Sequence, residues 1–261
     1  MPKFGLGTWM LDDPEECVAA VTSALDMGYR HVDTAQAYGN EQDVGDAIDQ
    51  SSVDRDEVFL ATKVWIDNLA PDDVVASTTE SLDKLGVDGV DLLYVHWPAG
   101  NYEPELTLAA FDDLVDRGLT DRIGVSNFQP DQLATAVSLT DAPIFAHQFE
   151  CHPLLPQDRL LAACDEHDVR PVAYSPLARG RVFDVPAITE VAEKHGVSEA
   201  QVSLAWLRHR GLTTIPKASS RDHVYDNWQS LSLRLDDEDV AKLDGIDTDE
   251  RLVDPDFAPW Q

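Results

Sequence analysis

A chain of 261 residues is long for one ordinary domain but the usual size for one α/β barrel, which takes about 250 residues. A hydrophobic share of 43 % is enough for a sizeable core and excludes a disordered or fibrous chain. Acidic residues outnumber basic ones 49 to 19, for a formal net charge of -30, and such a surface repels nucleic-acid phosphates and anionic lipid.

The predicted elements alternate. Strand-like runs fall at Phe4–Gly7, His31–Ala35, Val58–Val64, Val90–Trp97, Arg122–Ser126, Ile144–Cys151, Pro171–Tyr174 and Thr213–Pro216. Several are nearly continuous apolar runs, as in Leu92-Leu93-Tyr94-Val95, which is how strands buried on both faces of a parallel sheet read. Helical spacing fills the gaps. Asp13-Pro14-Glu15-Glu16 reads as an N-cap, a first-turn proline and acids facing the positive end of a helix dipole. Val18, Val21 and Leu25 give that helix an apolar face, and Gly28 stops it. Pro71 to Leu85 repeats the design, with Val74, Thr78, Ser81, Leu82 and Leu85 as the inner stripe and Gly86 as the stop. Asn40–Ile48, Glu105–Arg117, Pro130–Leu139, Asp158–His167, Pro186–His195, Ser198–Arg210 and Arg221–Gln229 follow, and Asp237–Leu243 comes after the last unit. Eight strand-helix units with no linker or composition break predict one α/β domain over residues 1–261, a (β/α)8 TIM barrel. No G-x-G-x-x-G follows a strand, which weighs against an open dinucleotide-binding sheet.

The acid is spread along the chain and crowds helix starts, as in Asp12, Asp13, Glu15 and Glu16, or Asp236, Asp237, Glu238 and Asp239. Like charges at this density oppose compaction in dilute salt, and molar salt, with a Debye length of about 3 Å, removes most of that cost. A halophilic protein of a high-salt, haloarchaeal type of cytosol is expected, with an acidic mesophilic protein as the plainer alternative. Three cysteines, Cys17, Cys151 and Cys164, argue for a reducing compartment rather than a disulfide framework. Met1 to Met10 carries no basic stretch followed by an apolar core, and no run of about 18 apolar residues occurs, so neither a secretory signal nor a membrane span is expected. The expected location is cytoplasmic and the expected state monomeric.

In a TIM barrel the active site lies at the C-terminal strand ends. Those ends carry Asp33 with Tyr38 shortly after it, Lys63, His96, Ser126 and Asn127, Gln148 and Glu150, Tyr174 and Ser175, and then Lys217. Taken singly, Asp33 reads equally as a cap, Tyr38 as a packed aromatic and His96 as a core histidine. Lys63 breaks an apolar strand, and an inward lysine needs a partner. Together they form one chemical set. A buried lysine favours phenolate over phenol and lowers the pKa of a neighbouring tyrosine; a carboxylate keeps the lysine charged. Such a phenol donates a proton to a developing alkoxide, and a neutral histidine polarises the carbonyl. No side chain supplies hydride, so this chemistry requires a nicotinamide cofactor.

These residues sit in motifs that resemble the aldo-keto reductase family, in its prokaryotic 2,5-diketo-D-gluconate reductase-like branch. The motifs are Gly28-Tyr29-Arg30-His31-Val32-Asp33-Thr34-Ala35 with Tyr38-Gly39-Asn40-Glu41, Val95-His96-Trp97-Pro98, Gly124-Val125-Ser126-Asn127-Phe128, Gln148-Phe149-Glu150-Cys151-His152-Pro153, Tyr174-Ser175-Pro176-Leu177 and Ile215-Pro216-Lys217. They run in the family's order from about residue 3 to about residue 230. The resemblance implies a catalytic tetrad of Asp33, Tyr38, Lys63 and His96, with Tyr38 as general acid. It implies that Tyr174 stacks on the nicotinamide and that Ser126, Asn127 and Gln148 hold its carboxamide. Further cofactor contacts are expected from Gly7, Thr8, Trp9, Ser175, Leu177, Lys217, Ala218, Ser219, His223, Asp226 and Asn227. Trp9, Trp65, His96 and Trp97 are expected around a small carbonyl substrate, and no metal is expected. His223 stands where the family has an arginine for the 2′-phosphate of NADPH, and a histidine is mostly neutral near pH 7. NADP(H) with NAD(H) also accepted is therefore expected, with Lys217, Arg221, Arg179 and Arg181 supplying a local positive patch. The segments after His96 and Tyr174 and the tail after Arg251 are short, which predicts an open mouth.

Two other readings compete with this one. A metal-dependent barrel hydrolase could draw on His96, His147, Glu150, His152 and Asp33, but Lys63 would repel the metal. A non-catalytic nicotinamide-binding, redox-sensing barrel needs no proton donor, and the chain carries no extra interaction segment for it.

Overall fold

The computed structural model describes residues 1–261. Its strands are β1 (Leu6–Gly7), β2 (His31–Asp33), β3 (Phe59–Val64), β4 (Leu92–Val95), β5 (Ile123–Ser126), β6 (Ile144–Glu150), β7 (Arg170–Tyr174) and β8 (Thr213–Thr214). They form one sheet in chain order, every neighbouring pair parallel. A parallel bridge between Phe4 and Thr214, with Gly5 N–H donating to Thr214 O at 2.9 Å, joins the last strand to the first and closes the ring. The expected (β/α)8 barrel is the observed one. Its first and last strands are shorter than expected because Phe4 makes only the bridge and Pro216 has no N–H to give a ladder.

The helices are α1 (Pro14–Met27), α2 (Glu41–Gln50), α3 (Pro71–Leu85), α4 (Pro104–Asp116), α5 (Pro130–Leu139), α6 (Asp158–Glu166), α7 (Pro186–His195), α8 (Glu199–His209), α9 (Arg221–Gln229) and α10 (Asp237–Asp244). Local chemistry sets their ends. Asp13 caps α1 by accepting from Glu16 N–H at 3.0 Å, and Gly28 ends it at φ 106°, a left-handed conformation that costs glycine little. The buried residues of α3 are the five of the expected stripe. In α1 the buried face is centred on Cys17, Val21 and Ala24, with Val18 only half-buried at its edge.

The core has two layers. The larger lies between strands and helices. The smaller plugs the barrel itself and consists of Phe59, Ala61, Leu92, Tyr94, Ala146, Val172 and Ile215. Gly124 makes room for it: a Cβ there would lie 2.7 Å from the Tyr94 ring. The plug is a dry floor under the C-terminal mouth, so polar groups at the strand ends above it are held away from water on one side.

Candidate active site

Strand periodicity gathers the expected side chains. Residues two apart share a face. In the β2–β3 register Asp33 pairs with Ala61, which puts Lys63 one step higher on the same inner face. In the β3–β4 register Lys63 pairs with Tyr94, which puts His96 one step above that. Tyr38 closes a short 3₁₀ turn, Gln36–Tyr38, that follows β2 and is stopped by Gly39 at φ 71°. The Lys63 ammonium donates to Asp33 Oδ1 at 2.5 Å, to Thr34 O at 2.8 Å and to the Tyr38 hydroxyl at 3.3 Å. The Tyr38 ring meets the His96 ring edge-on with centroids 5.8 Å apart. Gln148 Nε2 donates to the other Asp33 oxygen, Oδ2, at 2.8 Å.

Electrostatics assign the protonation states. Burial alone would lower the Lys63 pKa, but the Asp33 carboxylate and the Tyr38 oxygen more than reverse this and hold it above its usual value, so the lysine is charged. Burial, reinforced by Lys63, pushes the His96 imidazole well below its usual range, so it is neutral at pH 7. Tyr38 departs from expectation. Burial raises its pKa, and Lys63 pulls it back only in part, so the phenol lies above its ordinary value rather than below. The site at rest thus holds a protonated phenol beside a cation.

The second set of expected residues forms the wall of one cavity of about 1110 Å³, which Asp33, Tyr38 and His96 also line, with Lys63 fully buried. Gly7, Thr8, Trp9, Ser126, Asn127, Gln148, Tyr174, Ser175, Leu177 and Lys217 belong to it, as do Trp65 and Trp97. Asn127 sits at φ 64°, and its amide is taken up by protein partners: it donates to His96 O and Ser126 Oγ, both at 3.0 Å, and accepts from Tyr174 Oη at 2.7 Å. This clasp fixes the flat Tyr174 ring against the cavity. Ser126 Oγ, the Gln148 oxygen and the Tyr174 face are polar and aromatic surfaces of the kind a nicotinamide ring with its carboxamide requires, and Lys217 supplies positive charge farther along.

The remaining expected cofactor residues lie off this wall. Ala218 is buried and Ser219 half-buried. His223 is exposed on the first turn of α9, its backbone N–H donating to the cap Ser220 Oγ at 3.2 Å. Both Asp226 oxygens are engaged by α8 and its cap, Oδ2 with Ser198 Oγ and Oδ1 with Gln201 Nε2, each at 2.6 Å. Asn227 is buried. Of the expected positive patch, Arg181 is neutralised by an ion pair with Glu250, and Arg179 stacks 4.6 Å over the Trp9 ring.

The expected open mouth is narrowed by the tail. Leu252, Val253, Asp254, Pro255 and Phe257 fold back over it and line the cavity. Phe257 packs edge-on against Trp97 and Trp65, at 5.4 and 5.9 Å between centroids. Met10, Ala37, Pro176 and Gly180 complete this wall. The tail residues were not legible in the sequence because the tail has no periodicity, and Met10, Ala37, Pro176 and Gly180 lie in loops after β1, β2 and β7 that carry none either. The residues of the metal reading are dispersed. Glu150 pairs with His152 at 3.1 Å, and His147 lies 3.7 Å from Cys164. No three His, Cys, Asp or Glu side chains are arranged to hold a metal ion. Burial pushes all three thiols up to about 12, so none is a ready nucleophile.

A closed eight-stranded barrel with a phenol, an ammonium, a carboxylate and a neutral imidazole at its C-terminal mouth, beside a cavity of about 1110 Å³, is the arrangement of an oxidoreductase that acts on carbonyl groups. The aldo/keto reductase family model matches residues 3–248, and the chain belongs to that family. It is 38 % identical over 258 residues to the methylglyoxal reductase DkgB of Escherichia coli O157:H7, covering 98 % of this chain and 96 % of that one. It is 36 % identical over 252 residues to the glyoxal reductase of Bacillus subtilis (strain 168), covering 97 % and 91 %. Among solved structures it superposes with a TM-score of 0.94 on MGS-M4, an aldo-keto reductase enzyme from a Medee basin deep-sea metagenome library, at 32 % identity, covering 97 % of this chain and 94 % of that one. The reaction class is NAD(P)H-dependent reduction of carbonyl groups.

Proposed function

We propose that this barrel reduces small aldehydes, ketones and sugar-derived carbonyls to alcohols, with Tyr38 as proton donor. NADP(H) is the expected cofactor, with NAD(H) accepted, and the setting is a high-salt cytosol. The observation that carries this reading is the contact of the Lys63 ammonium with both the Tyr38 hydroxyl and the Asp33 carboxylate.

A bound reduced nicotinamide supplies the hydride; this chain's residues do the rest. Tyr174, braced by Asn127, gives the ring a flat seat, and Ser126 and Gln148 present polar atoms to its carboxamide. His96, neutral, is positioned to hydrogen-bond the substrate oxygen and polarise the carbonyl. Tyr38 passes its hydroxyl proton to that oxygen as negative charge develops there. Lys63 stabilises the phenolate left behind, and Asp33 keeps Lys63 charged and in place. The raised Tyr38 pKa keeps the donor loaded through neutral pH, and the ammonium lowers the cost of giving the proton up. Trp9, Trp65, Trp97 and Phe257 make the substrate side of the cavity apolar, which suits a small carbonyl compound. Methylglyoxal and glyoxal, the small dicarbonyls in the names of two relatives, are the first candidates for that substrate.

The test is a panel of methylglyoxal, glyoxal, 2,5-diketo-D-gluconate and simple aldehydes, assayed with NADPH and NADH at high and low salt. Tyr38→Phe is expected to abolish turnover and retain cofactor binding; turnover within about tenfold of the parent would remove Tyr38 from the chemistry. The exposed His223 in place of a forked, permanently charged arginine is the reason NADH is expected to serve. A preference for NADPH above about a thousandfold, equivalent to about 4 kcal/mol, would remove that part of the reading.

A further inference from the structure

Glu150 is a fully buried carboxylate that the proposed chemistry leaves unused. It ends β6, two residues beyond the Gln148 that holds Asp33. Burying a carboxylate is costly unless hydrogen bonds replace its water. Here they come from the tail. Leu252 N–H donates to Oε1 at 3.0 Å and Oε2 at 3.2 Å, and Val253 N–H donates to Oε2 at 3.1 Å. His152 Nε2 contacts Oε1 at 3.1 Å, and Gln157 Nε2 donates to the Glu150 backbone oxygen at 3.0 Å. One side chain therefore binds two successive backbone groups of a segment far away in the chain. Immediately beyond them lie Asp254, Pro255 and Phe257, which form part of the cavity wall.

We propose that Glu150 is a positioning residue for substrate: it tethers the tail so that Phe257 closes the cavity against Trp65 and Trp97. The inference rests on the reading that this cavity takes the carbonyl compound. The tether starts from the strand that also supplies Gln148 to the tetrad, so it fixes the substrate-side wall relative to the proton donor. The charge is the working feature. A carboxylate is acceptor-only and receives both backbone N–H groups and the imidazole together. A glutamine in its place turns one of its two ends into a donor facing donors. Other contacts flank this clasp: Glu250 N–H donates to Leu154 O at 2.8 Å and its side chain pairs with Arg181 just before it, and beyond it Phe257 packs on Trp65 and Trp97. Glu150 is the side chain that holds the Leu252 and Val253 N–H groups between them.

The test uses the full-length protein in molar salt and the variant Glu150→Gln. Trypsin cuts after Arg251, and the bond it would cut is the one whose N–H, that of Leu252, is held by Glu150. The parent is expected to keep residues 252–261 under limited digestion. The variant is expected to release them at least about tenfold faster, with its other lysine and arginine sites still protected, as local opening requires. Cleavage at all sites alike would indicate general unfolding and overturn the inference. In kinetics with methylglyoxal, Glu150→Gln is expected to raise KM about tenfold with kcat within about threefold and cofactor affinity unchanged, the pattern of lost substrate positioning. A chain truncated after Arg251 should show the same rise in KM, and Glu150→Gln should add nothing to it. A further change in the truncated chain would mean that Glu150 acts through another partner and would overturn the proposal. If the parent turns over no carbonyl compound, the functional reading fails, while the proteolysis still reads the tether.

Discussion

Replacing Lys63 with methionine tests the electrostatic core of the site. Its ammonium lies 3.3 Å from the Tyr38 oxygen. Two unit charges at that separation attract by about 5 kcal/mol at an effective dielectric constant near 20. That attraction exists only once Tyr38 has given up its proton, so it acts on the transition state rather than on the resting site. The Asp33 carboxylate, 2.5 Å from the same ammonium, opposes part of it. A net loss of about 3 kcal/mol is expected in Lys63→Met, a fall in kcat of about 10²–10³, in line with removal of one preorganised electrostatic contact. Burial already raises the Tyr38 pKa, and without Lys63 it rises further. The alkaline decline of the reduction rate, where the phenol ionises, therefore moves to higher pH in the variant. Single-turnover measurements across pH read both effects. The variant leaves Asp33 buried without its cation, a loss that reaches about 3–5 kcal/mol of stability when a buried pair is broken, although Gln148 still donates to Oδ2. Asp33→Asn with Lys63→Met removes that stranded charge and serves as the folded control. A folded Lys63→Met enzyme with kcat within about threefold of the parent would refute the role of the ammonium.

Two further outcomes follow from burial and charge. His31 and His147 are fully buried, and desolvation holds them down to about 4 and about 3, below the 6.5 of an unfolded histidine. Between these values the unfolded chain binds more protons, so stability falls as pH drops from about 6.5 towards about 4, by a few kcal/mol in total. Thermal unfolding in molar salt, where surface repulsion is screened, reads this directly, and a Tm unchanged across that window would contradict it. Second, a formal charge of -30 implies that the midpoint of unfolding climbs steadily from dilute to molar salt. Full stability and activity in salt-free buffer would dismiss the high-salt origin.

The alternation of strands and helices was legible because both periods are strong here, and all eight strands and ten helices fall where the pattern put them. The tetrad was legible for a related reason: a lysine within Thr62-Lys63-Val64 and a histidine after Leu92–Val95 violate the apolar rule of a buried strand. What escaped has no period. The 3₁₀ turn carrying Tyr38 is three residues long, too short to register. The tail that closes the mouth is held by backbone N–H groups on a side chain about a hundred positions earlier, which no local rule reveals. The sign of the Tyr38 shift was also missed, because it depends on a balance between burial and the lysine field that only three-dimensional packing decides.

Ring closure has a price during synthesis. Lys3 reaches across to Gly211, 208 positions later, to help seal the seam. Until that stretch has left the ribosome, β1 has a partner on one side only, and the growing sheet carries two raw edges that invite pairing with other chains. Contacts this distant in the chain also form slowly. In molar salt, where charge repulsion is screened, only closure of the ring removes these edges.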